Sequence, residues 1–243
     1  LIIKSDITIP VGAATMPAYL ARPGAGENHP AVIVLEGVYG FDDELRRITE
    51  LLASFGYVGL AIDYFHRSPD HMSEAFTPEG RALGEKAAES VSKESARTDV
   101  AAARDWLNEQ PFVDHSKIGT WGFGFGGTTA FVTATLPGIR AATVFYAQSI
   151  ASLLPSKEHA PLEDAKDIRA PLLLVFGGRD QYVAPRDVET IESTLAANNK
   201  RFTIQTYPNV GHSFFRATGN TASAREASDA WELVQVFFEK YLR

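Results

Sequence analysis

Seven short runs of apolar or β-branched residues mark the chain, at Ile2 to Ile9, Ala31 to Leu35, Tyr57 to Ile62, Ile118 to Phe123, Ala141 to Tyr146, Leu172 to Phe176 and Phe202 to Tyr207. Each has the length of a strand, and the nearly unbroken ones suit strands buried on both faces. Between most of them the apolar period changes from two to three or four. Leu45, Ile48, Leu51, Leu52 and Phe55 recur at helical steps behind Asp42 or Asp43 as a cap, and Val100, Ala103 and Leu107 do the same further on. Ala227, Trp231, Val234, Phe238 and Tyr241 share one face of a last helix. Strands alternating with helices predict an α/β fold, a mostly parallel central sheet with helices on both faces, as one domain over residues 1–243. Two segments break the rhythm, Tyr64 to Arg81 and Ser149 to Arg169. In such folds long connections also roof the site above the strand ends. No repeat or low-complexity tract interrupts the pattern.

Composition narrows the function classes. With 243 residues, 45% of them hydrophobic, the chain can fill a large core. A net charge of -7 and a pI near 5.4 argue against nucleic acid or an anionic membrane as partner, since both need a basic face. Small-molecule work, by a monomer or small homo-oligomer, is the expectation that remains. No run approaches the length of a membrane span, and LIIKSDITIP has neither a signal-peptide core nor an initiating Met, so a few residues or a processed leader are expected to be missing. The absence of cysteine excludes disulfides and thiolate zinc sites and fits a cytoplasmic protein. Nothing in the sequence calls for a cofactor or metal.

The stretch KIGTWGFGFGGTTAFVTA, residues 117–134, reads as a strand, a glycine turn and a helix beginning at Thr128. In one large hydrolase class this elbow is G-x-nucleophile-x-G, with the nucleophile on the bend. Here the frame is Gly122-Phe123-Gly124-Phe125-Gly126, so the middle position has no side chain. Asp180, in GGRDQYVAP, and His212, in PNVGHSFFR, each follow a strand. Sites of open α/β sheets lie at the carboxyl ends of strands, and elbow, acid, His is the chain order of an α/β-hydrolase triad. His takes the nucleophile's proton, and the carboxylate fixes the imidazole tautomer and stabilises its cation. The same glycines also satisfy G-x-G-x-x-G, but no acidic residue follows the next strand, which ends in Ala147-Gln148, so a dinucleotide site fails in context. Asp63, His66, Asp70 and His71 in DYFHRSPDH are metal-ligand types, better explained as a polar turn-rich loop.

AVIVLEGVYGFDDELRRITELLASFGYVGLAIDYF, FGGRDQYVAP and GHSFFR together resemble the dienelactone hydrolase family, over most of the chain from about Ala31 to Arg243. The resemblance implies an α/β-hydrolase fold and a Cys-His-Asp triad, with a strand-end Glu contacting the resting thiol. Those positions are Gly124, His212, Asp180 and Glu36; three match and Gly124 does not. Arg216 matches a family Arg that binds the substrate carboxylate, a bidentate task suited to guanidinium, and Arg81 or Lys86 offers a second cation. The expected substrate is therefore a small ester or lactone bearing a carboxylate. From the residues themselves, Glu36 ends an apolar strand, where desolvation should raise its pKa and suit it to accept protons. The N–H groups of Phe125 and Gly37 are the expected oxyanion donors. Three readings of Gly124 stand side by side: a replaced nucleophile, a homologue in which water activated by His212 attacks, and a binding protein that has kept the pocket.

Overall fold

The computed structural model describes residues 1–68, 75–216 and 223–243. Eight strands form one sheet: β1 (Ile2–Val11), β2 (Ala14–Pro23), β3 (His29–Leu35), β4 (Val58–Ile62), β5 (Val113–Phe123), β6 (Ile139–Phe145), β7 (Leu172–Gly177) and β8 (Phe202–Tyr207). Among the described residues six α-helices accompany them, α1 (Asp43–Ser54), α2 (Pro78–Ala88), α3 (Lys93–Asn108), α4 (Phe125–Thr133), α5 (Pro185–Ala197) and α6 (Ala224–Leu242), with a 3-10 helix over Pro161–Asp167. The spatial order is β1-β2-β4-β3-β5-β6-β7-β8. β4 through β8 pair in parallel, while β1 and β2 form an antiparallel hairpin whose second strand pairs antiparallel with β4.

The apolar pattern sets this architecture. Successive residues of a strand face opposite sides, so Ile33, Leu35, Leu172 and Leu174 pack with Val100, Ala103 and Leu107 of α3, Phe131 of α4 and Leu195 of α5. Val32, Val34, Trp121, Leu173 and Val175 pack with Leu45, Ile48 and Leu52 of α1 and Val234 and Phe238 of α6. Asp42 proves to be the α1 cap, its Oδ1 accepting from the Leu45 N–H at 2.9 Å.

Two expectations need correction. β2, ATMPAYLARP, was not among the expected strands because Ala and Pro weaken the strand signal; the β4 ladder starts at Ala18, one residue after Pro17, where no N–H is missing. Helix α4 starts at Phe125, not Thr128. Gly126 and Gly127 belong to it because the helix lies directly against the sheet: a Cβ on Gly126 would stand 2.1 Å from the Glu36 carbonyl oxygen and 2.2 Å from that of Leu35. These glycines serve close approach rather than turning.

Candidate active site

The ends of β3, β5, β6 and β8 open toward one cleft of about 520 Å³ with its mouth included. Gly37, Arg81, Gly124, Phe125, His212 and Arg216 line it, and Asp180 stands behind His212. Residues taken from five separate stretches of sequence thus meet in one place. Glu36 does not line the cleft.

At the elbow Gly124 has φ 57° and ψ -119°, a region closed to ordinary residues without strain. Its N–H donates to the Phe145 carbonyl at 3.0 Å and its carbonyl accepts from the Thr128 N–H at 3.2 Å, so the bend is fixed from both neighbours. A Cβ built on Gly124 would meet His212 Nε2 at 3.5 Å and Gln148 Nε2 at 3.9 Å, with no overlap. Phe125 is the first residue of α4, and its N–H belongs to the helix-start donors that have no intrahelical acceptor. Gly37 enters the same cleft from the end of β3.

His212 Nδ1 lies 2.8 Å from Asp180 Oδ2, with the Asp180 side chain wholly buried. Asp180 Oδ1 accepts from the Tyr182 N–H at 2.8 Å. The imidazole sits edge-to-face between Tyr146 and Tyr182, at 5.0 and 4.9 Å between ring centres. Its far nitrogen, Nε2, is 3.4 Å from Gln148 Nε2. Donor chemistry then assigns every proton. Arg81 Nη2 is 3.0 Å from Gln148 Oε1, and a guanidinium can only donate, so the amide oxygen faces Arg81 and the NH2 faces His212. The Asp180 carboxylate can only accept, so in the neutral ring Nδ1–H donates to it and the lone pair falls on Nε2. This is the tautomer that a general base at residue 124 requires.

The two cations are unequally engaged. Arg81 also pairs with Glu85 at 2.7 Å and lies 3.6 Å over the Tyr182 ring. Arg216 pairs with Asp42 Oδ2 at 2.8 Å and covers Phe76 at 4.3 Å. Its Nε is buried and has no hydrogen-bond partner among the described residues. Lys86 is not among the residues lining the cleft.

Glu36 departs from its expected place. Its side chain is 1% exposed, and its carboxyl is pushed well above the usual range, first by burial and then by the neighbouring Asp63 carboxylate. The direction agrees with the sequence expectation, but the carboxyl is buried away from the cleft rather than at its mouth. The Glu36 carbonyl accepts from the Tyr64 hydroxyl at 2.5 Å. His66, a candidate metal ligand, is buried against Asp99 at 3.3 Å, with Arg67 forked onto the same carboxylate. Asp70 and His71 lie outside the described residues, and among those described no group of His, Cys, Asp or Glu is arranged to hold a metal ion.

Gln148 and Tyr146 contribute to the cleft without having been read from the sequence as site residues, and Asp42 was read only as a helix cap. One signal pointed to Gln148: it lies just beyond β6, the strand paired with the elbow strand β5.

An eight-stranded, mostly parallel sheet with helices on both faces and a glycine elbow after β5 defines the α/β-hydrolase fold. The dienelactone hydrolase family model matches residues 16–242, and the chain belongs to that family. It is 31% identical over 237 residues to a Synechocystis protein named "Putative carboxymethylenebutenolidase", covering 98% of this chain and 96% of the relative. A Bradyrhizobium protein named "Probable 2-oxo-3-(5-oxofuran-2-ylidene)propanoate lactonase" is 27% identical, over 93% of this chain and 89% of its own. Among solved structures, "Putative Dienelactone Hydrolase" from Klebsiella pneumoniae superposes with a TM-score of 0.89 at 27% identity, covering 99% of this chain and 100% of that one. Among the described residues no helix is long and apolar enough to cross a membrane.

Proposed function

We propose that this chain hydrolyses small carboxylic esters or lactones that carry a carboxylate, with water attacking at the position where Gly124 has no side chain. One observation carries the reading. The lone pair of His212 Nε2 faces the point, 3.5 Å away, where a side chain on Gly124 would begin, and Asp180 holds the opposite nitrogen at 2.8 Å. A water there gives a proton to His212 while its oxygen bonds to the substrate carbonyl carbon. The negative charge that develops on the carbonyl oxygen falls to the N–H groups of Phe125 and Gly37. Collapse breaks the bond to the leaving oxygen, which takes the proton back from His212.

The substrate class rests on Arg216. A buried unpartnered guanidinium N–H costs about 1–3 kcal/mol unless a ligand accepts from it, and a carboxylate does so best. The name of the Bradyrhizobium relative describes a substrate of this kind, a lactone ring bearing a propanoate. A second reading, a protein that binds such carboxylates without turnover, is favoured by the missing side chain at 124 alone. Hydrolysis of p-nitrophenyl acetate separates the two. A site without its side-chain nucleophile keeps roughly a thousandfold acceleration over water through its backbone donors and positioning; activation of water by His212 adds to that, so His212→Ala should lower the rate further. Carboxylate binding with no rate dependent on His212 would establish the binding protein instead.

A further inference from the structure

Gln148 is held at the mouth of the elbow through both its backbone and its side chain. Its carbonyl accepts from the Thr128 hydroxyl, its amide oxygen accepts from Arg81 at 3.0 Å, and two left-handed residues that are not glycine, Tyr146 at φ 39° and Ser149 at φ 58°, flank it. Backbone of that kind persists only where its surroundings hold it. The side chain ends 3.9 Å from the Cβ position of Gly124 and 3.4 Å from His212 Nε2. A 3.4 Å nitrogen pair is at the long end of hydrogen bonding, so the NH2 is placed beside the base without being spent on it.

We propose that Gln148 is a catalytic residue that holds the attacking water, with Arg81 as the positioning residue that fixes its amide. The inference rests on the hydrolase reading above and names what that reading leaves open, the group that orients the nucleophile. A water at the Gly124 position meets the lone pair of His212 Nε2 on one side and the donor NH2 of Gln148 on the other. His212 receives one water proton, and Gln148 donates to a lone pair of the oxygen, leaving the second lone pair directed at the substrate carbonyl carbon. The amide neither gains nor loses a proton. Because the guanidinium of Arg81 cannot accept, it forbids the flipped amide, in which the oxygen would face the water and compete with His212 for its proton. Arg81 thereby works for the reaction through Gln148, whatever else it does for substrate.

The test uses the intact chain and p-nitrophenyl acetate in two backgrounds. In the protein as it is, Gln148→Met keeps the length and removes the donor, and should lower kcat about 100-fold with KM within about twofold, the scale of a misplaced nucleophile. Gln148→Glu, which offers only oxygens, should fail equally although it can still pair with Arg81. In the Gly124→Cys background the first attack comes from sulfur, so the burst of p-nitrophenolate from Gln148→Met, Gly124→Cys should keep its rate within about threefold of Gly124→Cys alone. Thermal melting of each variant checks that it is folded. A rate that depends on His212 but not on Gln148 overturns this inference and leaves the hydrolase reading standing. An equal loss in both backgrounds also overturns it, since Gln148 would then only support His212. A rate independent of His212 overturns both.

Discussion

The two sides of the cleft are built to different degrees of completion. On the His212 side the ring is held from several directions: Asp180 on Nδ1, the Tyr182 N–H on Asp180, tyrosine rings on both faces, and Gln148 beside Nε2. On the elbow side the backbone is shaped with equal care, at φ 57° and ψ -119°, yet it presents no side chain. The neighbouring glycines sharpen the contrast. A Cβ on Gly122 would fall 1.9 Å from the Gly126 carbonyl oxygen and one on Gly126 2.1 Å from that of Glu36, while one on Gly124 overlaps nothing. Gly122 and Gly126 are glycine because nothing else fits. Gly124 is glycine at a bend with room for more, and the point where its side chain would begin lies 3.5 Å from His212 Nε2.

The sharpest way to break that comparison is to supply the side chain. Gly124→Cys should raise hydrolysis of activated esters by several orders of magnitude, because His212, Asp180 and the backbone donors are already in place. Left-handed strain should cost about 1–3 kcal/mol of stability. Gly124→Ser should gain less, since a thiolate forms at lower pH than an alkoxide. Mass spectrometry of the quenched reaction should find the acyl group on residue 124. No adduct and no gain from either substitution would remove the elbow from the chemistry.

Stability should split the glycines the opposite way. Gly126→Ala forces a methyl into two backbone carbonyls, and should cost about 3 kcal/mol or more, where backbone atoms cannot yield. Gly124→Ala carries only the strain of its φ, about 1–3 kcal/mol and less than the loss at Gly126. Urea unfolding of the two variants measures the difference. Equal losses would mean that Gly124, too, is held by packing.

The cation side offers a smaller effect. Arg216→Ala should weaken binding of a small furan carboxylate by about 2 kcal/mol, roughly 30-fold, while leaving its neutral amide unaffected. Calorimetric titration of both ligands reads this directly. Equal losses for the two would assign Arg216 to holding Asp42 and α1 in place rather than to the ligand.

The middle of the sheet was legible because runs such as Ala31–Leu35 and Leu172–Phe176 are apolar without a break, a pattern only a strand buried on both faces produces. β2 was hidden because its Ala and Pro carry little strand signal, and its register comes from β1 and β4 rather than from itself. Gly124, Asp180 and His212 were legible as a set through their order and their places after strands, and the fold brings them together. Gln148 was not, because its two defining contacts reach across 67 and 64 residues and depend on the turn of an amide. Glu36 was half legible. A carboxylate ending an apolar strand announces desolvation, but not the side of the sheet on which it is buried.

That half-legible residue gives the last and smallest prediction. Burial, and then the Asp63 carboxylate, raise the pKa of Glu36, so its folded value lies above its unfolded one. A raised value means that the folded state binds the proton more tightly. The stabilisation is complete below the unfolded pKa and fades as pH climbs from there toward the folded pKa, by about 1.4 kcal/mol for each unit between the two. Glu36→Gln mimics the protonated carboxyl in size and cannot ionise. The variant should match the parent in acid and become progressively the more stable of the two as pH rises above the ordinary carboxylate range, which thermal melting across pH will show. Because Glu36 lies outside the cleft, ester hydrolysis by this variant should change little at a pH where both proteins are fully folded. A large loss of rate without a change in melting would place Glu36 back among the groups that touch the reaction, and the division between a finished His212 side and an open elbow would have to be redrawn to include it.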